Sequence, residues 1–439
     1  MTPRLSLDTL GRLPVSVRRP EYDFLNLSVG IVHLGIGAFH RAHQAPLTED
    51  AICFSGGNWG IVGASLRHDA VPNALAAQDQ LYTIETLAEV PSYRVVAAIR
   101  GSLTATTRGA QLLGALSSPQ VHIVTLTVTE KGYCLGTDGE LDFAHPEITH
   151  DIEVPGTPLS AIGWLAAGLA ERSSHGQPIT VISCDNLQAN GAKLRGAIAA
   201  FLERSRPAVF PWLRDNVAFP QTLVDCIVPA ATDSSRERVN RALGVVDLAC
   251  VQREPYAQWV IENRFAGPRP GWEHVGVQIA DNVGDYARLK LHVLNTCHSA
   301  LAYLGLPRGH SFVREAMADT DLARFLEDLV SSEIAPALAP LAVLEYWRTV
   351  RERFANESID HRLSQIAEDG SLKLAERVFP LMTANAQIGA PVSGLARIVR
   401  GWLQLIRADP TTALDDAALF PPFIRSNATV RSAIAAAIP

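Results

Sequence analysis

The stretch from residue 29 to residue 64 constrains the fold of this chain more than any other. Residues 29–34 form an apolar, β-branched run that reads as a buried strand. Gly35 and Gly37 follow it, a helical pattern covers about 39–53, and a second strand covers 59–64. Strand, glycine turn, helix and strand make a βαβ unit, which demands a parallel sheet with a right-handed crossover. The alternation continues with a doubly buried strand at 121–128 (VHIVTLTV), an amphipathic helix at 158–174, a strand at 179–184 and a helix at 189–205. Repeated βα units place this half of the chain in the doubly wound α/β class. Residues 1–28, broken by Pro14 and Pro20, read as an irregular lead-in.

After about residue 275 the pattern changes. Helical periodicity covers 285–304, 312–318, 322–333, 344–355 and 392–407, the alanine-rich end RSAIAAAIP reads as a final helix, and little reads as a strand. A chain of 439 residues exceeds what one hydrophobic core usually supports. The expectation is therefore two domains. A Rossmann-type dinucleotide-binding domain covers 1–275, and a mostly α-helical substrate-binding domain covers 276–439, with the boundary near AGPRPGW.

The net charge of −7 is spread without long blocks of either sign, which argues against nucleic acid as a partner because phosphate binding needs a clustered basic face. The six cysteines are scattered without a CxxC, several of them in apolar runs, and read as reduced thiols. The first 24 residues contain no apolar core of a signal peptide, and no uncharged apolar run is long enough to span a membrane. Together these features suggest a cytoplasmic protein without a membrane partner. No coiled coil marks an assembly, so a monomer or small homo-oligomer is expected.

Four segments carry chemistry. In GIGAFHRAHQ, Gly35 and Gly37 close a strand and open a helix, where a pyrophosphate can approach backbone N–H groups. The third glycine of the usual spacing is missing, and a tight strand–helix turn explains the pair equally well without its place in a βαβ unit. The second strand ends without the acidic residue that takes the ribose hydroxyls. Ser65 and Arg67 stand there and can face a 2′-phosphate, so NAD is expected and NADP stays open. His40 and His43 lie at i, i+3, but no carboxylate or thiolate completes a ligand set and no metal is expected.

The helix that carries KLHVLNTCHSALAYLG is the second chemical element after the glycine turn. At 100° per residue, Lys290, Asn295 and His298 fall within an arc of about 140°. A lysine between Leu289 and Leu291 is either a desolvated ammonium suited to general acid–base work or one that snorkels to solvent from the helix edge. In SCDNLQANG, Asp185 and Asn186 follow a strand at the carboxyl end of the sheet, where they either meet a ligand or cap the next helix.

Taken together, VHLGIGAFHRAHQ, LTVTEKGY, SCDNLQANG, FPQTLVDCIVP, KLHVLNTCHSALAYLG and RFANESIDHRLSQIAEDGSLK resemble the mannitol dehydrogenase family of polyol and sugar-acid dehydrogenases. The resemblance implies a metal-independent hydride transfer with Lys290 as catalytic lysine. It makes Asn186 and Asn295 the amides that stabilise the substrate oxygen, His298 a substrate-orienting histidine and Asp225 an acidic neighbour. The implied cofactor-binding set is Gly35, Gly37, Ala38, Phe39, Ser65, Arg67, Thr127 and Glu130. Cys226 departs from the family pattern, which has arginine after the aspartate, and this puts the local role of Asp225 in question.

IDHRLSQIAEDGSLKL is closer to the mannonate (fructuronate) oxidoreductase branch than to the mannitol branch; Gln365 stands where polyol members carry arginine, whereas Lys373 is shared. His361, Arg362 and Lys373 offer donors for a carboxylate, although Arg362 can also pair with Asp360 or Glu368 on a solvated helix. The expected substrate is a sugar acid and its keto form, of the D-mannonate/D-fructuronate type. The alternative is mannitol 2-dehydrogenase or another polyol dehydrogenase acting on D-mannitol or D-arabinitol.

Overall fold

The computed structural model describes residues 2–406 and 420–436. The chain divides into two compact units, Met1–Val283 and Gly284–Pro439.

The first unit is built on six strands: β1 (Val29–Leu34), β2 (Gly60–Ser65), β3 (Ile99–Thr104), β4 (Ile123–Leu126), β5 (Ile179–Ser183) and β6 (Val217–Ala218). Their spatial order is 3-2-1-4-5-6 and every neighbouring pair is parallel. This is the doubly wound Rossmann order, in which the strand sequence reverses between β1 and β4. β4 and β5 are buried along their whole length, as a sheet covered on both faces requires. Register aligns Leu34 with Ala64 and with Leu126, and Leu126 with Ser183. The carboxyl ends of these strands therefore share one edge.

The sequence understated two parts of this unit. The helix expected over 39–53 is two helices, Ala38–Ala42 and Gln44–Ser55, broken at His43, whose φ and ψ of −123° and −74° are not helical. Pro46 lies in the first turn of the second helix, where a missing N–H costs no internal bond. The lead-in is not wholly irregular either. Val17–Arg18 pairs with Ser92–Val96, which forms a hairpin with Tyr82–Thr86, and Val251–Arg253 completes that sheet. A third sheet joins Thr222–Asp225, Gln258–Glu262 and Gln278–Ala280.

The second unit is helical around a core that includes Leu301, Leu326, Trp347, Leu363, Leu395 and Trp402. Helices Val313–Ala318, Val343–Phe354 and Ser393–Leu405 lie close to their expected positions. Helices Gly370–Arg377 and Phe379–Ile388 were not anticipated. The helix expected over 392–407 includes residue 407, and the expected C-terminal helix includes residues 437–439, all outside the described residues; the C-terminal helix observed is Ala428–Ala436.

The helix expected over 285–304 spans 284–305 but is not regular. A π-helical turn, Lys290–Asn295, separates α-helical segments Gly284–Leu289 and Thr296–Gly305. A second π-turn, Val330–Ile334, presents Glu333 to the first turn of Ser393–Leu405, where it accepts the Gly394 and Leu395 N–H groups at 2.6 and 2.9 Å.

Candidate active site

In the first unit, the carboxyl edge of the sheet is organised by the turn after β1. Gly35 has φ +98°, and a Cβ there would lie 2.1 Å from the Thr127 carbonyl oxygen. Only glycine fits both the conformation and the approach. Gly37 differs: the Gly35 carbonyl oxygen, at 3.8 Å, is the nearest atom to its Cβ position. The Gly37 N–H donates to the Gly35 carbonyl at 2.6 Å, so with the Gly37 Cβ position open the N–H groups that a ligand atom can approach are those of Ala38 and Phe39.

Thr127 Oγ1 donates to the Gly35 carbonyl at 2.8 Å, tying the end of β4 to the turn after β1 across the reversal of strand order. His33 completes that tie. Its Nε2 lies 3.0 Å from the Gly35 carbonyl and 2.9 Å from Thr127 Oγ1, and its Nδ1 lies 2.7 Å from Thr125 Oγ1. The carbonyl has no proton to give, so the network assigns Nε2–H as donor and Nδ1 as acceptor.

His40 occupies the place of the missing third glycine, whose usual role is to let helix and strand pack closely. Here the gap is filled by two imidazoles, with the His40 ring stacked on that of His33 at 3.5 Å. Burial lowers the His33 pKa to about 3, and burial together with His33 and Arg41 pushes His40 well below its ordinary value. Both rings are therefore neutral at pH 7. Unfolded, they titrate near 6.5, so their contribution is complete above that pH and is lost as pH falls toward the native values. Each costs about 1.4 kcal/mol per pH unit in that window. Buried Asp185, whose pKa is raised by burial, acts in the opposite sense. The histidine contribution is therefore read as a difference: between pH 6.5 and 5.5, denaturant unfolding should show a pH dependence about 1 kcal/mol weaker in His40→Phe than in the parent.

The sequence-derived cofactor residues separate into distinct environments. Ser65 Oγ accepts the His68 N–H at 3.2 Å. Arg67 is exposed and paired with Glu147, so the carboxylate that β2 lacks arrives at its end from helix Pro146–Glu153. No sequence signal marks that pairing. Ala38 and Phe39 open the helix after Gly37, with Phe39 stacked on His43 at 5.0 Å, and Glu130 is exposed. Arg41 is buried and donates to the Gly37 and Ala249 carbonyls.

Asp185 is buried and accepts from Val128 N–H, Thr129 N–H and the Tyr133 hydroxyl at 3.1, 2.8 and 2.7 Å. It clamps the loop after β4, whose Thr129 holds φ +67°. Asn186, next in the chain, is exposed at the carboxyl end of β5. Asp225 is buried as the last residue of its strand, paired in register with Gln258, and Cys226 beside it is half-buried.

In the helical unit, Lys290 and Asn295 are the first and last residues of the π-turn and both are half-buried. A π-turn closes over one more residue than an α-turn, so the angle between these side chains is smaller than the 140° given by a regular helix. His298 is buried, stacked on Phe354 at 4.4 Å and edge-on to His361 at 5.0 Å. Its Nε2 and the Nδ1 of His361 are buried with no hydrogen-bond partner among the described residues. Burial, followed by the charges of His361, Arg353 and Arg377, holds the His298 pKa well below 6.5.

Lys373 donates to the Ile366 carbonyl at 3.1 Å, and its pKa is lowered by burial and by Arg377. Arg362 is exposed, with its guanidinium 5.6 Å from the Phe312 ring centroid, while Asp360 pairs with Arg314. Among the described residues, no carboxylate forms an ion pair with Lys373 or Arg377 and no group of three or more His, Cys, Asp or Glu is arranged to hold a metal. No helix among them is long and apolar enough to cross a membrane.

Comparison with known proteins agrees with this architecture. Residues 29–274 match the mannitol dehydrogenase Rossmann domain, and residues 282–415 match the mannitol dehydrogenase C-terminal domain. The chain is 38% identical to D-mannonate oxidoreductase of Escherichia coli (strain K12), over 90% of this chain and 83% of that protein. It is 34% identical to a mannitol 2-dehydrogenase of Phaeosphaeria nodorum, over 92% of this chain and 73% of that one. The ternary complex of Pseudomonas fluorescens mannitol 2-dehydrogenase with NAD and D-mannitol superposes with a TM-score of 0.85 at 32% identity, over 98% of this chain and 95% of that one. With both of its domain types matched in order across most of its length, the chain belongs to the mannitol dehydrogenase family of oxidoreductases.

Proposed function

We propose that this protein is an NAD-dependent secondary-alcohol dehydrogenase that interconverts a sugar acid with its keto form, of the D-mannonate/D-fructuronate type. The observation that carries the substrate class is the charge balance of the helical unit: Lys373 and Arg377 are partly buried cations with no ion-paired carboxylate among the described residues, and a substrate carboxylate supplies what they lack. Similarity to D-mannonate oxidoreductase supports the same reading. The exposed Arg362 contributes less to it than the sequence suggested.

The residues present fit the cofactor. Gly37 leaves room at the backbone N–H groups of the turn, and the Arg67–Glu147 pair at the end of β2 sets a carboxylate against a 2′-phosphate, which favours NAD over NADP. Bound NAD supplies the hydride acceptor. Lys290 takes the hydroxyl proton during oxidation and returns it during reduction, without a metal. The family resemblance assigns Asn186 and Asn295 each as an amide donor to the substrate oxygen, and neutral His298 orients a hydroxyl through its Nε2, which has no hydrogen-bond partner among the described residues.

The second reading, a polyol dehydrogenase, is favoured by the likeness to the mannitol 2-dehydrogenase complex. Purified protein supplied with NAD should generate absorbance at 340 nm with D-mannonate, at a rate unchanged by EDTA. Turnover of D-mannitol with no turnover of D-mannonate would sink the sugar-acid reading, and loss of rate on chelation would sink metal independence.

A further inference from the structure

Arg377 holds the helix at four residues, two in the π-turn and two just after it. Its main-chain carbonyl lies 3.2 Å from His292 Nδ1 and 3.2 Å from Thr296 Oγ1, both of which donate to it. Its Nη1 donates to the Asn295 carbonyl at 3.3 Å and to Ser299 Oγ at 3.0 Å. One residue at the end of helix Gly370–Arg377 thus grips positions 292, 295, 296 and 299, spanning the second half of the π-turn and the first turn after it.

The arrangement is costly. The guanidinium is largely buried, its Nε has no hydrogen-bond partner among the described residues, and burial lowers its pKa. A π-turn is rare and disturbs the regular i→i−4 ladder, so neighbouring groups must take up the displaced polar atoms. A buried cation whose hydrogen bonds go to that turn meets this need, whereas an apolar residue of the same shape would not.

We propose that Arg377 is a positioning residue that maintains the Lys290–Asn295 π-turn and so fixes the placement of Lys290 and Asn295 relative to each other. The inference rests on the reading of those two side chains as proton carrier and amide donor. Its structural half is independent of that reading and can be measured without any substrate.

The test uses the full-length protein with Arg377→Met, Arg377→Lys and Arg377→Ala. Hydrogen exchange read by mass spectrometry should accelerate in peptides covering 290–299 of Arg377→Met, with the core strands of the first unit unchanged. With the substrate established for the parent, kcat should fall by roughly 10²-fold, because a small displacement of a reacting group is expensive, over and above any rise in KM from losing a cation that faces the substrate carboxylate. Arg377→Lys keeps the charge but cannot bridge the Asn295 carbonyl and Ser299 Oγ, so it should recover only part of kcat. Guanidinium ion at tens of millimolar should restore part of the rate of Arg377→Ala.

Parent-like exchange at 290–299 in Arg377→Met overturns the proposal. So does a loss of kcat that neither guanidinium nor lysine restores and that tracks a general loss of thermal stability. Accelerated exchange at 290–299, combined with a Lys290→Ala variant as active as the parent, would leave the π-turn assignment standing and contradict the catalytic reading instead.

Discussion

Lys290→Ala is expected to reduce kcat by between about 10² and 10⁴, the usual contribution of a positioned general acid–base group. Lys290 begins the π-turn and is half-buried, and helix 284–305 is packed into the core through Val293, Leu294, Cys297 and Leu301 on other faces. Lys290 is only half-buried, so the thermal midpoint should remain within a few degrees of the parent. Its predicted separation of effects is sharp: NADH affinity, read by fluorescence titration, should be unchanged while turnover collapses. A loss of both together would mean that the lysine serves folding or cofactor binding and not proton transfer.

The second large effect is Gly35→Ala. The substitution combines a φ of +98° with a Cβ 2.1 Å from the Thr127 carbonyl oxygen and 2.7 Å from its carbon, both backbone atoms that cannot swing aside. Strain and overpacking together should destabilise the first unit by about 3 kcal/mol or more. The turn should also lose its bonds from Thr127 and His33, so nucleotide binding should go with it. Gly37→Ala is the informative partner. Its φ is −77° and its Cβ position is open, so it should fold like the parent yet weaken NADH binding by about tenfold or more, because the methyl occupies the space before the backbone N–H groups. Parent-like NADH affinity in a folded Gly37→Ala variant would remove the turn from the cofactor site.

The parallel sheet was legible because its strands announce themselves. Val29–Leu34 and Ile179–Ser183 are apolar, β-branched runs buried on both faces, and glycines mark where β1 gives way to its helix. The inserted hairpin, Tyr82–Thr86 with Ser92–Val96, was missed because its partners Val17–Arg18 and Val251–Arg253 are remote in sequence. Helix Phe379–Ile388 lacks the polar face by which a surface helix is recognised, and helix Gly370–Arg377 starts from Asp369 at φ +53° without a side-chain cap.

At the site, Lys290, Asn295 and His298 could be placed on one helix from spacing alone, but the π-turn could not. It carries no compositional mark and is held by Arg377, which lies 82 residues beyond Asn295. The same limit hid Glu147, whose partnership with Arg67 depends on two segments 80 residues apart. Arg362 is exposed beside Phe312, a setting that its motif does not reveal. Arg377, largely buried and without an ion-paired carboxylate among the described residues, stands at a helix end that the sequence does not mark.

The most direct test of the account is the ratio of kcat/KM for D-fructuronate to that for D-fructose, measured by NADH oxidation at 340 nm. A carboxylate held by a charge-assisted hydrogen bond contributes about 1.5–3 kcal/mol, so the ratio should lie roughly between 10 and 150 in favour of the uronate. A ratio of one or less would contradict the sugar-acid assignment and place the protein among the polyol dehydrogenases of its family.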